Sequence, residues 1–203
     1  MQLDPRALAP GAMYRFMISA IIPRPIAFVS TVDERGRFNV APFSYFAPLS
    51  SRPPLLGISI NDRDGGPKDT LRNARGGAGF VVNIVNEPML RAMVRASGEW
   101  PPNVSEFELT GLTPLASERV RAPRVAESRI QFECRLEREV PLGTTTFVIG
   151  EILLAHAADE LVVDGLIDAT KLHAVGRLGG DGYTIVREVV REARPVVPKA
   201  PGT

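Results

Sequence analysis

Cysteine and histidine are scarce in this sequence of 203 residues, which contains only Cys134, His156 and His173 of these two types. A single cysteine excludes an intramolecular disulfide framework and is compatible with a reducing cytoplasm. So few potential ligands also argue against a structural zinc site, and we expect no bound metal. No apolar run reaches the roughly 18 residues that a membrane span needs, and the N-terminal segment lacks a signal-peptide core. We therefore expect a cytoplasmic protein that is not embedded in a membrane.

An excess of charge of one sign is also missing. Lysine and arginine together number 24 and aspartate and glutamate 23, which gives a formal net charge of +1. This balance provides no electrostatic argument for binding to nucleic acid or to a membrane surface. The sequence contains no GxGxxG after a strand, no GxxxxGK[ST], no GxSxG and no HExxH motif. Their absence disfavours the common dinucleotide-binding folds and the common hydrolases.

The apolar pattern predicts a mainly β protein. A hydrophobic content of 44% is enough for a core, and the length fits one domain, which we assign to residues 1–190. Residues 191–203 contain three prolines and are predicted to form an irregular tail. Strands are predicted at 25–32, 37–46, 54–60, 79–84, 129–140 and 145–156, and short helices at 11–19, 67–75 and 87–97. Because tight turns separate consecutive strands, we expect an antiparallel barrel and not a parallel α/β sheet.

The stretch from Ile21 to Phe46 is predicted to be a hairpin with polar residues concentrated at one end. Its second strand contains Pro42, which predicts an edge strand or a bulge. The polar residues are Ser30, Thr31, Asn39, Ser44 and Tyr45. They could bind the edge of a planar polar ligand, or their side chains could bond to neighbouring backbone, as strand hydroxyls commonly do. The residues alone leave both interpretations open.

A second candidate site is Lys68-Asp69-Thr70, which follows Pro67. Proline suits the first position of a helix, where no amide hydrogen is needed. The first helical turn presents unpaired N–H groups, Lys68 adds a full charge and Thr70 adds a hydroxyl, so the segment could bind a phosphate monoester. Every helix start offers the same amides, and a solvated helix start with Asp69 serving the helix dipole remains the alternative.

Two arginines and one histidine are further candidates. Arg24 lies between Pro23 and Pro25, where a stiff backbone could hold it as an anion clamp. Arg177 precedes a glycine pair, and both arginines could equally lie at the surface. His156 ends a predicted strand, and although its pKa range allows proton transfer, a lone histidine is more often structural.

Cys134 belongs to the strand IQFECRLE. If Ile130, Phe132, Cys134 and Leu136 share one face of that strand, the cysteine is a core residue. A reactive thiol would need an exposed, electropositive setting, which the sequence does not indicate.

Several segments, in order and spacing, resemble the flavin-reductase-like, FMN-binding split-barrel family, which includes flavoredoxin and nitrilotriacetate monooxygenase component B. The segments are IIPRPIAFVST, NVAPFSYF, KDTLRN, FVVNIV, PRVAES, FECRLE, VIGEI and RLGG, and the resemblance extends over residues 14–185. It implies a six-stranded antiparallel Greek-key split β-barrel with short peripheral helices. It also implies a homodimer that binds FMN non-covalently near the subunit interface.

The resemblance also assigns residues to the FMN site by matching motifs. For the isoalloxazine and ribityl groups these are Ser30, Thr31, Ser44, Tyr45 and Phe46, and for the phosphate end Asn61, Lys68, Asp69 and Thr70. Arg24 and Arg177 are additional candidates. The phosphate interpretation of Lys68–Thr70 thereby becomes the favoured one.

The function implied is an NAD(P)H:flavin reductase that supplies reduced flavin to a partner monooxygenase. The alternatives are a flavoredoxin-like FMN electron-transfer protein that exchanges electrons with a redox partner, and a flavin-binding module without turnover. Many reductases of this superfamily carry a Gly-Asp-His motif associated with nicotinamide, but Thr144 and Thr145 replace its Asp and His here. His156 could supply an imidazole instead, and we assign no catalytic residue.

Overall fold

The computed structural model describes residues 1–63, 66–101 and 104–195, which form five α-helices and fourteen strands. The helices are α1 (Ala12–Ala20), α2 (Asp69–Arg75), α3 (Leu90–Ala96), α4 (Glu106–Thr110) and α5 (Ala169–Leu172). The first seven strands are β1 (Arg24–Pro25), β2 (Ala27–Val32), β3 (Phe38–Phe43), β4 (Phe46–Ser51), β5 (Pro54–Asn61), β6 (Phe80–Ile84) and β7 (Pro114–Leu115). The others are β8 (Arg124–Val125), β9 (Ile130–Leu142), β10 (Thr145–Ala157), β11 (Val162–Val163), β12 (Leu166–Ile167), β13 (Val175–Arg177) and β14 (Tyr183–Ile185).

Seven strands form the main sheet in the order β3-β2-β6-β9-β10-β5-β4. All of its neighbouring strands are antiparallel, which confirms the predicted strand arrangement. The predicted hairpin is β2–β3, in which Asp33 Oδ1 accepts hydrogen bonds from the N–H groups of Arg35 and Arg37. Gly36 completes the turn with φ of 81°, a conformation that favours glycine.

The connection between β3 and β4 closes this sheet on itself. The two strands occupy opposite edges of the sheet, yet only Ser44 and Tyr45 separate them along the chain. Three Cα–Cα steps from Phe43 to Phe46 reach at most about 11 Å. Six spacings between strands in a flat sheet would need about 29 Å. The sheet must therefore curl until its two edges almost meet, and this produces a barrel that is split at Ser44 and Tyr45.

Three details differ from the sequence predictions. The main sheet has seven strands and not the six implied by the resemblance, because Phe46–Ser51 is a separate strand that pairs with β5. Pro42 lies on an edge strand as expected, but it still has Phe28 as its register partner, and pairing continues to Phe43. Helix α2 begins at Asp69 with Lys68 as N-cap, so Pro67 precedes the helix and is not its first residue.

The barrel interior forms one hydrophobic cluster, which includes Phe80, Ile58 and Cys134. Cys134 is fully buried, with Phe132 and Leu136 packed against the same cluster, so it is the core residue that was predicted. Ile130, the fourth residue of the predicted face, belongs to a separate buried cluster with Leu161 and Leu172. Burial raises the pKa of its thiol well above the usual range. A second cluster fills the space between the sheet and helices α3 and α4, so these helices cover the outside of β2 and β3.

A small second sheet, β1-β13-β14, lies beside α1. Helix α1 has no buried residue, although it carries Tyr14, Phe16 and Met17. Residues 191–195 of the predicted tail are exposed and form no regular element, and 196–203 lie outside the described residues. The division into one domain and a tail stays a prediction. Across the described ranges, none of the helices has the length and apolarity needed to cross a membrane.

Candidate functional site

The segment that splits the barrel is flanked by two concave surfaces. One is a groove of about 280 Å³, lined by Met17, Ile21, Pro23, Arg24, Pro25, Ser44, Tyr45 and Phe46. The other is a small cavity of about 40 Å³, lined by Asn39, Ala41, Pro42, Arg63, Lys68, Asp69, Thr70, Ala96, Ser97, Gly98 and Glu106. Phe43 lies between them in the chain, and its ring is 5.7 Å from the Lys68 ammonium nitrogen. Strand β3 therefore lines the charged cavity, and the β3–β4 connection that follows it lines the largely apolar groove.

The cavity brings together three of the four residues that the resemblance assigned to the phosphate end, Lys68, Asp69 and Thr70. Lys68 is half-buried at the N-cap of α2. Thr70 is buried, and its hydroxyl accepts a hydrogen bond from the Asn39 amide at 3.3 Å. Burial lowers the pKa of Lys68, and the charge of Arg63 lowers it further, while Glu99 opposes this. Lys68 and Thr70 thus line one pocket at the start of α2, and phosphate binding there stays a prediction. Helix α2 has only seven residues and a correspondingly short dipole.

Arg63 belongs to the same cavity and was missed by the sequence analysis. Its Nε atom is buried and has no hydrogen-bond partner among the described residues. Its Nη1 atom lies 3.5 Å from Asp69 Oδ2. A buried guanidinium N–H without an acceptor is costly, so this atom is a ready donor for an anion. The sequence could have indicated Arg63 only through its position in the loop before Pro67, because Arg63 belongs to no motif.

Asp69 contributes charge compensation to the cavity. Its carboxylate is paired with both Arg72 and Arg63. A carboxylate has no N–H or O–H to offer an anion and would repel a phosphate. The side chain therefore orients and partly neutralises Arg63. The place of Asp69 at the phosphate end stays a prediction, and the group it offers there is its backbone N–H, at the first position of α2.

Asn61 lies at the end of β5, next to the start of β10. Its Oδ1 atom accepts a hydrogen bond from the Thr145 hydroxyl at 2.8 Å, and the N–H of Asp62 donates to the Thr144 carbonyl at 3.0 Å. The loop that carries Arg63 is therefore anchored to the Gly143–Thr146 turn. Asn61 positions these two segments relative to each other, and its side chain does not line the cavity.

Ser30 and Thr31 are fully buried, and their side chains are engaged within the fold. The Ser30 hydroxyl donates to the Pro123 carbonyl and accepts from Asn83 Nδ2 at 3.0 Å. The Thr31 hydroxyl accepts from Asn73 Nδ2 at 3.0 Å. Of the two interpretations left open by the sequence, the structural one describes these two hydroxyls, because neither faces the groove or the cavity.

Arg24 is a buried structural residue and not a free anion clamp. Its guanidinium donates to the carbonyls of Ile18 at 2.5 Å, Ile21 at 3.1 Å and Leu178 at 3.1 Å. Its Nε atom is 3.4 Å from the Ser44 hydroxyl. Four acceptors satisfy the side chain, so it ties α1, β1 and the turn after β13 to the barrel split.

Arg177 has a comparable structural role. It is the register partner of Arg24 in the small sheet. Its Nη1 donates to the Gly182 carbonyl at 3.0 Å, and its guanidinium lies 4.6 Å from the Tyr183 ring centroid. The side chain stacks within the small sheet and lines neither the groove nor the cavity.

Ser44, Tyr45 and Phe46 line the groove together, and their contact with a flavin stays a prediction. Tyr45 is 38% exposed, and its carbonyl accepts the N–H of Ser59 at 2.8 Å. Phe46 is half-buried and packs against the barrel core, so it forms the floor of the groove. An exposed ring beside a rigid apolar floor suits a planar ligand.

His156 lies at the other end of β10 and is paired with a buried acid. Its Nε2 atom is 2.7 Å from Oε1 of Glu133, which is fully buried. Glu133 also accepts hydrogen bonds from the N–H groups of Glu118 and Arg119. Eleven residues of strand separate Thr145 from His156, which is about 35 Å at the usual rise. Within one chain, His156 therefore cannot replace the histidine missing from the Gly143–Thr146 turn.

Among the residues that the structure describes, no three His, Cys, Asp or Glu side chains are grouped so that they could hold a metal ion. The chemistry available at the candidate site is thus the binding of an anion in the cavity and of a planar apolar group in the groove.

Comparisons with known proteins identify the family and the fold. A family model described as "Flavin reductase like domain" matches residues 18–172. Nitrilotriacetate monooxygenase component B from Bacillus cereus is 37% identical, with a TM-score of 0.91 over 95% of this chain and 98% of that one. The 2-nitrobenzoate 2-nitroreductase from Pseudomonas fluorescens is 28% identical, with a TM-score of 0.89 over 100% of both chains. Flavoredoxin from Desulfovibrio vulgaris is 26% identical, with a TM-score of 0.76 over 95% and 96% of the two chains.

The Glu133–His156 pair predicts a loss of stability in acid. Burial by itself would raise the pKa of Glu133, but the N–H groups of Glu118 and Arg119, together with His156, outweigh it and lower the pKa below the ordinary 4.5. A lowered carboxyl pKa stabilises the fold above 4.5, and this contribution is lost as pH falls through and below that value. We expect the unfolding free energy, measured by urea titration from pH 7 to 3, to decline in that window.

Glu133→Gln should be less stable at pH 7 and should show a smaller decline in acid, because the titrating group is gone. Glu137→Gln, on the same strand, is the control. An unchanged pH dependence in Glu133→Gln would contradict this assignment.

Proposed function

Because this chain belongs to the flavin reductase-like family, we propose that it is an FMN-binding oxidoreductase, and specifically an NAD(P)H:flavin reductase that supplies reduced flavin to a partner monooxygenase. The supply role is supported by its similarity to a protein named as component B of nitrilotriacetate monooxygenase. The proposed compartment is the cytoplasm, in keeping with a lone, buried thiol at Cys134.

The observation that carries the proposal is the Nε atom of Arg63, beside Lys68, for which the described part of the chain offers no acceptor. A phosphate monoester supplies several acceptor oxygens and close to two negative charges. It would satisfy the buried Arg63 N–H and the Lys68 ammonium, and the Thr70 hydroxyl lines the same cavity. The donor set of the cavity therefore fits the phosphate of FMN, which riboflavin lacks.

The groove fits the other end of the same molecule. From the cavity, Pro42 and Phe43 lead along the chain to Ser44, Tyr45 and Phe46. Tyr45 and Phe46 would contact the flat ring, while Ser44 is held in place by Arg24. These residues bind and orient the ring and reduce its contact with water. When bound, FMN supplies the hydride-accepting and electron-transferring chemistry that the side chains lack.

In this proposal the Gly143–Thr146 turn binds the hydride donor, NADH or NADPH. Thr144 and Thr145 offer hydroxyls where related reductases have an acid and an imidazole, and Thr145 is held by Asn61. Hydride transfer from a nicotinamide to a flavin needs no protein acid or base, so the turn has only to bind and orient the nicotinamide.

The second candidate is a flavoredoxin-like electron-transfer protein without direct NAD(P)H oxidation. Two observations favour it: the replacement of Asp and His by Thr144 and Thr145, and the similarity to flavoredoxin from Desulfovibrio vulgaris. In this case FMN stays bound and a redox protein delivers or accepts electrons.

A homodimer belongs to either version of the proposal. Helix α1 buries none of its residues against its own chain, and its Tyr14 and Phe16 are exposed. Leu49 on the edge strand β4 is exposed as well. A helix that leaves Tyr14 and Phe16 exposed and has its other apolar residues at most half-buried needs another surface, and this one adjoins the groove.

Binding of FMN should depend on the two cations of the cavity. We expect Lys68→Ala and Arg63→Ala each to weaken FMN about 10- to 100-fold, since a hydrogen bond to a charged group contributes about 1.5–3 kcal/mol. Riboflavin affinity should change little, because it has no phosphate. Fluorescence titration with both flavins measures this, and Arg35→Ala, in the exposed β2–β3 turn, is the matched control. Equal losses for FMN and riboflavin would argue against the phosphate assignment.

Turnover separates the two candidate functions. A reductase should oxidise NADH or NADPH in the presence of added FMN well above the rate without protein, whereas an electron carrier should not. The measurement is the decrease in absorbance at the nicotinamide band, with boiled protein as control. A purified protein that is yellow but shows no NAD(P)H oxidation would support the carrier and exclude the reductase.

Association through α1 predicts that a charge on its exposed face disrupts the dimer. Phe16→Lys should shift the protein from dimer to monomer in analytical ultracentrifugation at micromolar concentration. Leu166→Lys changes another exposed apolar residue, on the β11–β12 hairpin, and should leave the dimer intact. If Leu166→Lys dissociates the dimer and Phe16→Lys does not, the interface lies elsewhere.

A further inference from the structure

Glu106 is a buried carboxyl that the proposed reaction does not use. It begins α4, is 5% exposed and lines the same cavity as Lys68 and Thr70. Its Oε2 atom accepts a hydrogen bond from the Val40 N–H at 3.3 Å. No sequence motif marks Glu106 as part of the site, because it lies 36 positions after Thr70 in the chain.

Part of its role is to cover the edge strand. The Ser105 hydroxyl donates to the Phe38 carbonyl at 3.0 Å, and Glu106 accepts from Val40, so the start of α4 satisfies two groups of β3. An edge strand with unpaired groups needs such a cover. A glutamine could accept the same N–H bond, so this role does not require a carboxyl.

The carboxyl matters for the charge balance of the cavity. The charged residues that line it are Arg63, from the loop after β5, Lys68 and Asp69, from the start of α2, and Glu106 itself, from α4. The end of α3 contributes the uncharged Ser97 and Gly98, and β3 contributes Asn39, Ala41 and Pro42. Glu99 does not line the cavity, but its charge raises the pKa of Lys68. Glu108 of α4 is exposed. Two cations and two anions cancel while Glu106 is ionised.

We propose that Glu106 takes up one proton from solvent when a phosphate monoester binds in this cavity, so that the affinity for FMN rises as the pH falls. The inference rests on the proposed function. An ionised Glu106 would repel an incoming dianion, because Asp69 and Glu106 together already balance the charges of Arg63 and Lys68. A protonated Glu106 leaves the cavity with a net charge of +1 and gives it an O–H donor for a phosphate oxygen.

In the free protein the pKa of Glu106 is already displaced towards protonation. Burial raises its pKa above the ordinary value, and the charge of Asp69 adds to this, while its backbone hydrogen bonds and Arg63 oppose it. A bound dianion raises the pKa further. The gain in affinity is therefore present at low pH and is lost as the pH rises through the pKa of Glu106 in the complex. One coupled proton changes the affinity by at most about tenfold per pH unit.

Calorimetric titration of the full chain with FMN at pH 7.5, in two buffers of different ionisation enthalpy, counts the protons. At this pH the FMN phosphate is already a dianion, since its second pKa is about 6. We expect net proton uptake by the wild type with FMN and none with riboflavin. Glu106→Gln should lose the uptake, and its FMN affinity should vary less between pH 6 and 8. Glu108→Gln, on the exposed face of the same helix, should behave like the wild type.

The outcomes distinguish this inference from the function beneath it. If neither FMN nor riboflavin binds at any pH, the proposed function fails. If FMN binds and Glu106→Gln takes up as many protons as the wild type, FMN binding stands and the role of Glu106 is wrong. If Glu106→Gln does not fold, the wild type alone tests the proposal. Proton uptake by the wild type that is no larger with FMN than with riboflavin would overturn it.

Discussion

Phe43 and Phe46 belong to opposite edge strands of a seven-stranded sheet, and two residues are all that joins them. This short connection forces the sheet to curl into a barrel. The two edge strands approach each other there without pairing, and this leaves the split. At the split, Tyr45 is exposed and Ser44 is half-buried. Strand β3 lines the charged cavity, and the connection that follows it lines the groove. The candidate site is therefore a direct product of how the barrel closes.

Hydrogen-bond satisfaction separates the structural polar residues from those suited to a ligand. Arg24 and Glu133 are both buried, and each is surrounded by several partners from its own chain. Ser30 and Thr31 are engaged in the same way. Among the described residues, Arg63 keeps a buried N–H without an acceptor, and the Lys68 ammonium nitrogen lies 5.7 Å from the centroid of the Phe43 ring. An incomplete set of partners, more than residue type or burial, indicates where a charged molecule would bind.

Local patterns in the sequence were sufficient for much of the fold and for one part of the site. The β2–β3 hairpin, the core position of Cys134 and the proximity of Lys68 to Thr70 follow from residues close together in the chain. Other features depend on partners far away in the sequence. The Ser30 hydroxyl is engaged by Asn83 and by the Pro123 carbonyl, and the cavity is completed by α4. Contacts between residues so far apart in the sequence cannot be read from the spacing of nearby residues. The family resemblance matched positions in motifs, but it did not show which groups those side chains bond to in this chain.

The guanidinium of Arg24 joins elements that otherwise have little contact. It holds two carbonyls at the end of α1, one carbonyl of the turn after β13, and the Ser44 hydroxyl at the split. A rigid buried link of this kind transmits displacement in both directions. A molecule that shifts Ser44 acts on α1, and a neighbouring protein that shifts α1 acts on the groove. Association and ligand binding would then be energetically coupled, and reciprocity requires each to strengthen or weaken the other by the same factor.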